Sequence, residues 1–299
     1  MFKKTFLILI LLAAAILLSN CQQKPNLKTT LENRVENFKG DVGIFVKDLT
    51  TGKTVEINAD TVFPTASMIK VPIMLKIFDR IEKGELSKDS TLLYFKDTIN
   101  YQWKGDDAIS RFREGEDISI SKLLTHMITF SDNHASLWLQ KLAGTGTAIN
   151  EWLAREGLKD TRVNSRTEGR EEGYKKYGWG QTTPREMAEL LIRIRNGEAV
   201  SDKASEDMYR HLTRIYWDDE ALSQIPPTVQ AASKQGAVSQ SKSEVVLVNA
   251  PHGDYVFCVI TKDQEDTRWE DDNEGYVLIR DVSKILWDYF EPDHKWKRN

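Results

Sequence analysis

The chain has 299 residues, 40% hydrophobic and 29% charged, a balance that excludes a disordered or collagen-like polymer and suffices for a full core. Its 41 basic and 45 acidic side chains leave a net charge of −4, so no broad positive field marks it for nucleic acid. Two cysteines, Cys21 and Cys258, offer no CxxC and no Cys/His spacing for structural zinc, and no disulfide framework is expected.

From the N-terminus, Lys3 and Lys4 precede an apolar run from Phe6 to Leu18, 13 residues against the roughly 20 needed to span a bilayer. Residues 1–20 therefore read as a secretory signal peptide, 21–30 as a polar tether, and 31–299 as one domain with no linker or repeat inside it. Val42 to Val46 reads as a strand, Thr50-Thr51-Gly52-Lys53 as a turn, and Thr54 to Ile57 as its hairpin partner. Helical apolar spacing follows in Ile73, Met74, Leu75, Ile77, Phe78 and Ile81, again in Leu123, Leu124, Met127 and Ile128, and again in Met187, Leu190, Leu191 and Ile194. Val245 to Val248, the turn Pro251 to Asp254, and Tyr255 to Ile260 form a second hairpin, and a last helix is expected over Tyr276 to Phe290. Cys258 lies inside the apolar run of that hairpin and reads as a buried structural thiol. Strands at both ends with helices between them predict an α+β fold, α/β in the broad sense. Its antiparallel sheet is built from strands at both chain ends and flanked by helices, with an all-helical lobe inserted in the middle.

The segment that carries chemistry is Phe63-Pro64-Thr65-Ala66-Ser67-Met68-Ile69-Lys70, because Ser67 and Lys70, three residues apart, share one helical face and can touch. Pro72 marks the start of that helix, where backbone N–H groups lack intrahelical acceptors and can face a substrate. The same Ser-x-x-Lys spacing recurs at Ser119 to Lys122 and Ser239 to Lys242, so by itself it is weak. Ser131-Asp132-Asn133 and Lys234-Gln235-Gly236, following in order, make it specific.

With these three elements the chain resembles the penicillin-recognising serine hydrolases, above all the class A β-lactamases, over about Leu31 to Phe290. The resemblance implies a β-lactamase/transpeptidase-like fold and a serine hydrolase that opens β-lactam rings through an acyl-enzyme on Ser67. Lys70 would take the Ser67 proton, with Lys234 as the second cation that lowers its basicity. Ser131 would pass a proton to the leaving nitrogen, and Asn133 would hold the substrate amide and orient Lys70. Lys234 would attract the substrate carboxylate, with Gln235 and Gly236 beside it, and the amides of Ser67 and Ala237 would form the oxyanion hole. Asp132 is expected to fix its own loop. The expected substrate is a β-lactam or an acyl-D-Ala-D-Ala-like peptide, with no cofactor, no metal and a monomeric state. Leu18-Ser19-Asn20-Cys21 also resembles a bacterial lipobox, although Asn20 departs from the usual small residue. It implies lipidation of Cys21, a membrane contact through that lipid alone, and an exported, periplasmic or membrane-anchored protein.

Three departures from the family pattern bear on function. Gln235 stands where a Thr or Ser hydroxyl is usual, and Lys242 is a possible second carboxylate anchor or else an exposed strand lysine. The E-x-x-L-N string that supplies the deacylating glutamate is absent; ungapped counting puts Thr167 in its place, with Glu168 next and Glu171 and Glu172 following. Glu168 is taken as the catalytic carboxylate, against the alternative that all three glutamates line a solvated loop. The ion pair that brackets this loop in the family is replaced by Ser165 and Gly180, which leaves Tyr174, Tyr177 and Trp179 to pack it. His134 reads as packing or solvent-facing, and Tyr101 and Trp103 as cleft wall or core. The acidic run Glu265 to Glu274 reads as a solvated helix start. Two alternatives stand beside hydrolysis: a penicillin-binding protein or D-Ala-D-Ala peptidase-like enzyme with slow deacylation, and a non-catalytic lipoprotein that binds cell-wall fragments.

Overall fold

A computed structural model describes residues 26–101 and 112–297. Cys21, the signal segment and Trp103 lie outside the described residues. The elements run α1 (Leu27–Val35), β1 (Asp41–Asp48), β2 (Thr54–Ile57), β3 (Phe63–Pro64), a 3₁₀ turn (Ala66–Ile69) and α2 (Lys70–Glu82). After β4 (Thr91–Leu93) and β5 (Asp117–Ser119) come α3 (Ile120–Thr129), α4 (Asn133–Leu142) and α5 (Thr145–Arg155). Then β6 (Arg162–Val163), α6 (Glu171–Tyr177), β7 (Gly180–Thr182), α7 (Pro184–Arg195) and α8 (Asp202–Leu212) lead back to the sheet. β8 (Ala231–Val238), β9 (Ser241–Val248), β10 (Tyr255–Lys262) and α9 (Glu274–Phe290) close the fold.

The strands from the two chain ends meet as expected, in an antiparallel sheet of order β2-β1-β10-β9-β8. Phe45 pairs with Cys258 and Gly236 with Ser243. Both faces of this sheet are covered, which explains why residues 245–248 of β9 and 255–260 of β10 read as unbroken apolar runs rather than alternating ones. Ile44, Val46, Val246 and Val259 turn to one face, against Leu31 of α1 and Leu278, Val282 and Trp287 of α9. Phe45, Val245, Leu247 and Cys258 turn to the other, against Met187, Leu190 and Leu191 of α7. That second cluster continues without a break into the helical lobe through Ile73, Met74, Leu124, Leu139 and Leu153. Cys258 is fully buried there, and burial holds its thiol far above the usual range.

The helix starts follow side-chain capping rules. Ser119, Asp132 and Thr183 cap α3, α4 and α7, each accepting from a backbone N–H three residues on, and Pro184 occupies the first turn of α7. Two of the competing motif copies are thereby explained. Ser119 is a cap whose partner Lys122 pairs with Glu116, and Ser239 is a turn whose carbonyl accepts from Lys242. Asn273 caps α9 while Asp266 accepts the Glu274 amide and pairs with Arg268, so the acidic run serves the helix start. Among the described residues no helix is long and apolar enough to cross a membrane.

Candidate active site

Ser67 lies in the 3₁₀ turn that feeds α2, half-buried, with Lys70 one turn on and fully buried. Lys70 Nζ is 2.8 Å from Ser67 Oγ. It is also 3.1 Å from Ser131 Oγ, 2.6 Å from the Ser131 carbonyl and 2.9 Å from Asn133 Oδ1. The α3–α4 connection aims the second motif: its tight turn puts Ser131 at φ +58, and the Asp132 cap starts α4 at Asn133. A non-glycine residue in that region costs roughly 1–3 kcal/mol and persists only where its surroundings hold it. Ala66, just before the nucleophile, has φ +44.

The third motif arrives on the edge strand β8. Side chains alternate across that strand, so Lys234 and Gly236 face the cleft while Ser233 points back to Glu244 on the α9 side. Lys234 Nζ is 3.1 Å from Ser131 Oγ and 3.0 Å from both the backbone oxygen and Oε1 of Gln235. The Gln235 amide thus supplies an oxygen to Lys234 where the family uses a hydroxyl. Burial first, and the Lys70 ammonium second, hold Lys234 well below the ordinary lysine range, while Glu244 behind the strand works the other way. Gly236 leaves no room for a side chain: a Cβ there would meet the Thr65 carbonyl at 2.5 Å and Ser67 N at 2.9 Å. The strand therefore lies directly on the turn that carries the nucleophile, with Ala237 half-buried beside it.

The structure thus brings Ser67, Lys70, Ser131, Asn133, Lys234, Gln235, Gly236 and Ala237 together. It places Glu168 differently. Thr167 is buried, donates to the Ser165 carbonyl at 2.9 Å and faces Gly146 of α5; a Cβ on Gly146 would fall 1.7 Å from its hydroxyl. Glu168 is exposed one residue later, and among the described residues its carboxylate has no hydrogen-bond partner. Glu172 is exposed, and Glu171 is exposed and accepts the Gly169 amide. These placements match the solvated-loop alternative.

The loop from Asn164 to Trp179 is held mainly by polar contacts, a correction to the aromatic packing expected for it. Gln140 of α4 donates to the Ser165 carbonyl at 2.5 Å and accepts from its hydroxyl at 3.0 Å. Arg166 reaches the carbonyls of Ile99 and Asn100, at 2.6 and 2.9 Å, and Arg170 bridges Asn164 and Gln181. Of the three aromatics, Trp179 packs edge-on against Tyr101, whereas Tyr174 is 48% exposed. No local pattern signalled Gln140 or Arg166, because their acceptors are backbone groups far along the chain.

Lys242 needs a second correction. It is neither a cleft anchor nor an exposed strand lysine: it is buried on the α9 side, donates to the carbonyls of Val238 and Ser239, and lies over the rings of Trp269 and Tyr276. His134 is buried among Tyr94, Phe112 and Trp138. Tyr101 borders the site, its hydroxyl accepting from Asn133 Nδ2 at 3.2 Å. Sequence reasoning missed Tyr216 and Trp217, 56% and 40% exposed, which dock on the carbonyls of Thr129 and Phe130 just before Ser131.

A half-open serine in contact with a buried lysine, under an edge strand laid against its amide, is the arrangement that acyl transfer by a serine hydrolase requires. Comparison with known proteins agrees. The profile of the Beta-lactamase enzyme family matches residues 26–290, and the chain belongs to that family. It is 25% identical to β-lactamase VEB-1 of Pseudomonas aeruginosa over 96% of this chain and 98% of that one. In fold it superposes on PBP-A with a TM-score of 0.77 at 24% identity, covering 90% of this chain and 97% of that one. The TLA-1 extended-spectrum β-lactamase gives 0.77 at 20% identity, covering 90% and 99%.

Proposed function

We propose that this protein hydrolyses β-lactams as a serine β-lactamase, with Ser67 as nucleophile. The observation that carries the proposal is the shared contact of Lys70 with Ser67, Ser131 and Asn133, with Lys234 closing the far side of Ser131. In the first step Ser67 Oγ bonds to the ring carbonyl carbon and its proton passes to the Lys70 amine, 2.8 Å away. The carbonyl oxygen gains negative charge, which the amides of Ser67 and Ala237 receive. The carbon–nitrogen bond then breaks, and Ser131 hands the ring nitrogen a proton that is replaced from Lys70. Asn133 aligns the substrate amide, and Lys234 with Gln235 takes the carboxylate that β-lactams carry. Water completes the cycle by releasing Ser67 and the ring-opened acid.

A second reading has its own observation. Thr167 is buried against Gly146 and Glu168 is exposed, so the base for the water step rests on a carboxylate outside the hydrogen-bonded cluster. Slow deacylation, as in a penicillin-binding protein, follows if Glu168 does not reach the acyl group. Intact mass measured over time after mixing with a penicillin separates the two. A transient adduct with ring-opened product supports the hydrolase, and a lasting adduct supports the second reading. Ser67→Ala should give no adduct; an adduct on that variant would remove Ser67 from its role. Glu168→Gln should prolong the adduct without slowing its formation, and an unchanged lifetime would take Glu168 out of deacylation.

The lipobox-like Ser19-Asn20-Cys21 further supports export with a lipid on Cys21, the monomer being held to the membrane by that lipid alone. Intact mass of the membrane-extracted protein reads this directly. A chain starting at Cys21 and carrying acyl mass supports it, and an unmodified N-terminus overturns it.

A further inference from the structure

The acidic run, which lacks ligand spacing, suggests no metal, but the fold assembles a different set of side chains. At the end of β9 opposite the residues beside Ser67, two separate segments converge. His252 lies in the β9–β10 turn, while Glu291 and His294 follow α9. One ligand atom from each of the three lies within 4.8 Å of the other two.

Glu291 is the fixed member, with its side chain fully buried. One of its oxygens accepts the His252 backbone N–H at 2.9 Å, and the other lies 2.6 Å from His252 Nδ1. The His294 amide donates to the Glu291 carbonyl at 3.0 Å, and the Trp287 indole donates to the His294 carbonyl at 2.7 Å. This Glu-x-x-His turn is therefore held from both sides, and the His294 ring stands 5.7 Å from the His252 ring, centroid to centroid. A simple hydrogen bond accounts for His252 and Glu291, but it leaves the convergence of His294 on the same point without a role.

We propose that His252, Glu291 and His294 form a site for a divalent transition metal of the zinc class. Two imidazole nitrogens and one carboxylate oxygen suit zinc, copper or nickel, whereas calcium and magnesium take oxygen-only sets. Bonds of about 2.0–2.1 Å from zinc to nitrogen place tetrahedral ligands roughly 3.4 Å apart, so the 2.6 Å contact of His252 with Glu291 must open slightly while any ligand atoms lying as far as 4.8 Å apart draw in by at most about 1.4 Å. Both histidines are exposed and can turn without disturbing the core. The ion takes the place of the hydrogen between His252 Nδ1 and Glu291, the ring keeping its single N–H on Nε2, and water fills the fourth position. Such an ion clips the end of α9 to the β9–β10 turn, so it acts on the stability of the closing helix and not on the chemistry at Ser67.

The test is calorimetric titration of the purified, chelator-treated protein with Zn²⁺, together with its thermal midpoint with and without the ion. One Zn²⁺ per chain and a raised midpoint are expected. His252→Ala and His294→Ala should each weaken binding by about 10-fold or more, since loss of even an outer partner costs roughly 10–100-fold. Absence of stoichiometric binding overturns the site, as does binding undiminished in both histidine variants. Glu291→Gln should abolish binding; because Glu291 is buried, the two exposed histidine variants carry the test if that variant does not fold.

Discussion

Ser131 Oγ is 3.1 Å from both Lys70 Nζ and Lys234 Nζ, so one hydroxyl links two buried amines. Two buried amines sharing one hydroxyl repel each other as charges, and burial with the Lys70 charge holds Lys234 well below the ordinary lysine range. Glu244 lies on the other side of β8 and is part of the same balance. Burial pushes its carboxyl up to about 7 from 4.5, although Ser233 and the Ala221 amide donate to it. The folded protein therefore holds this proton more tightly than the unfolded chain. The resulting stabilisation is complete below about pH 4.5 and is lost as pH rises through about 7. Glu244→Gln keeps the shape and removes the titration. In urea unfolding, the stability of the native protein relative to this variant should fall by on the order of 2 kcal/mol between about pH 5 and pH 8. A difference independent of pH would show that Glu244 does not titrate there.

At the level of elements, the cleft depends on where helices begin. The 3₁₀ turn into α2 presents Ser67, and the Asp132 cap of α4 presents Asn133; the first start was legible because the Pro72 signal is local, whereas the sequence marks Asp132 only as fixing its loop and not as opening a helix. The Asn164–Trp179 loop obeys no local signal. Arg166, itself at φ +50, spends its guanidinium on two carbonyls of the 99–100 segment next to Tyr101. Arg166→Ala removes both charge-assisted bonds, each in a setting where such contacts are worth about 1.5–3 kcal/mol before solvent exposure reduces them. Faster amide exchange across residues 164–179 is expected, with a smaller change in the melting midpoint; unchanged exchange there would show that Gln140 and Arg170 suffice to hold the loop. β8 went unread for a related reason. Its Ala-Ala-Ser-Lys-Gln-Gly-Ala-Val composition carries no strand alternation, and its place at the sheet edge is set by pairing with β9.

Across the whole molecule, one buried cluster runs from the sheet face through α7 into α2, α3, α4 and α5. Phe45 of β1, Ile73 of α2 and Leu153 of α5 belong to it, so the lobe and the sheet share a core rather than meeting at a wet seam. Unfolding is therefore expected as one cooperative transition, with far-ultraviolet circular dichroism and tryptophan fluorescence giving the same midpoint. Trp138 and Trp152 report on the lobe, and Trp287 on the far side of the sheet. Separate midpoints would mean that the lobe melts by itself and that the shared core is weaker than its continuity implies.

What the sequence determined by itself was whatever follows from neighbours along the chain. Strand and helix periodicity, the Ser67–Lys70 spacing on one helical turn and the burial of Cys258 depend on residues a few positions apart, where backbone geometry alone fixes which side chains share a face. The order of the three motifs added the family and hence the fold. Tertiary structure decided the rest, because it rests on contacts between residues far apart in the chain. It turned Lys242 to the α9 side, since the strand's alternation can be phased only once both sheet faces are known. It buried Thr167 against Gly146 and left Glu168 in solvent, since a loop's side-chain directions depend on what Arg166 and Gln140 reach. It also brought His252 to Glu291 and His294, which no spacing in the chain announces.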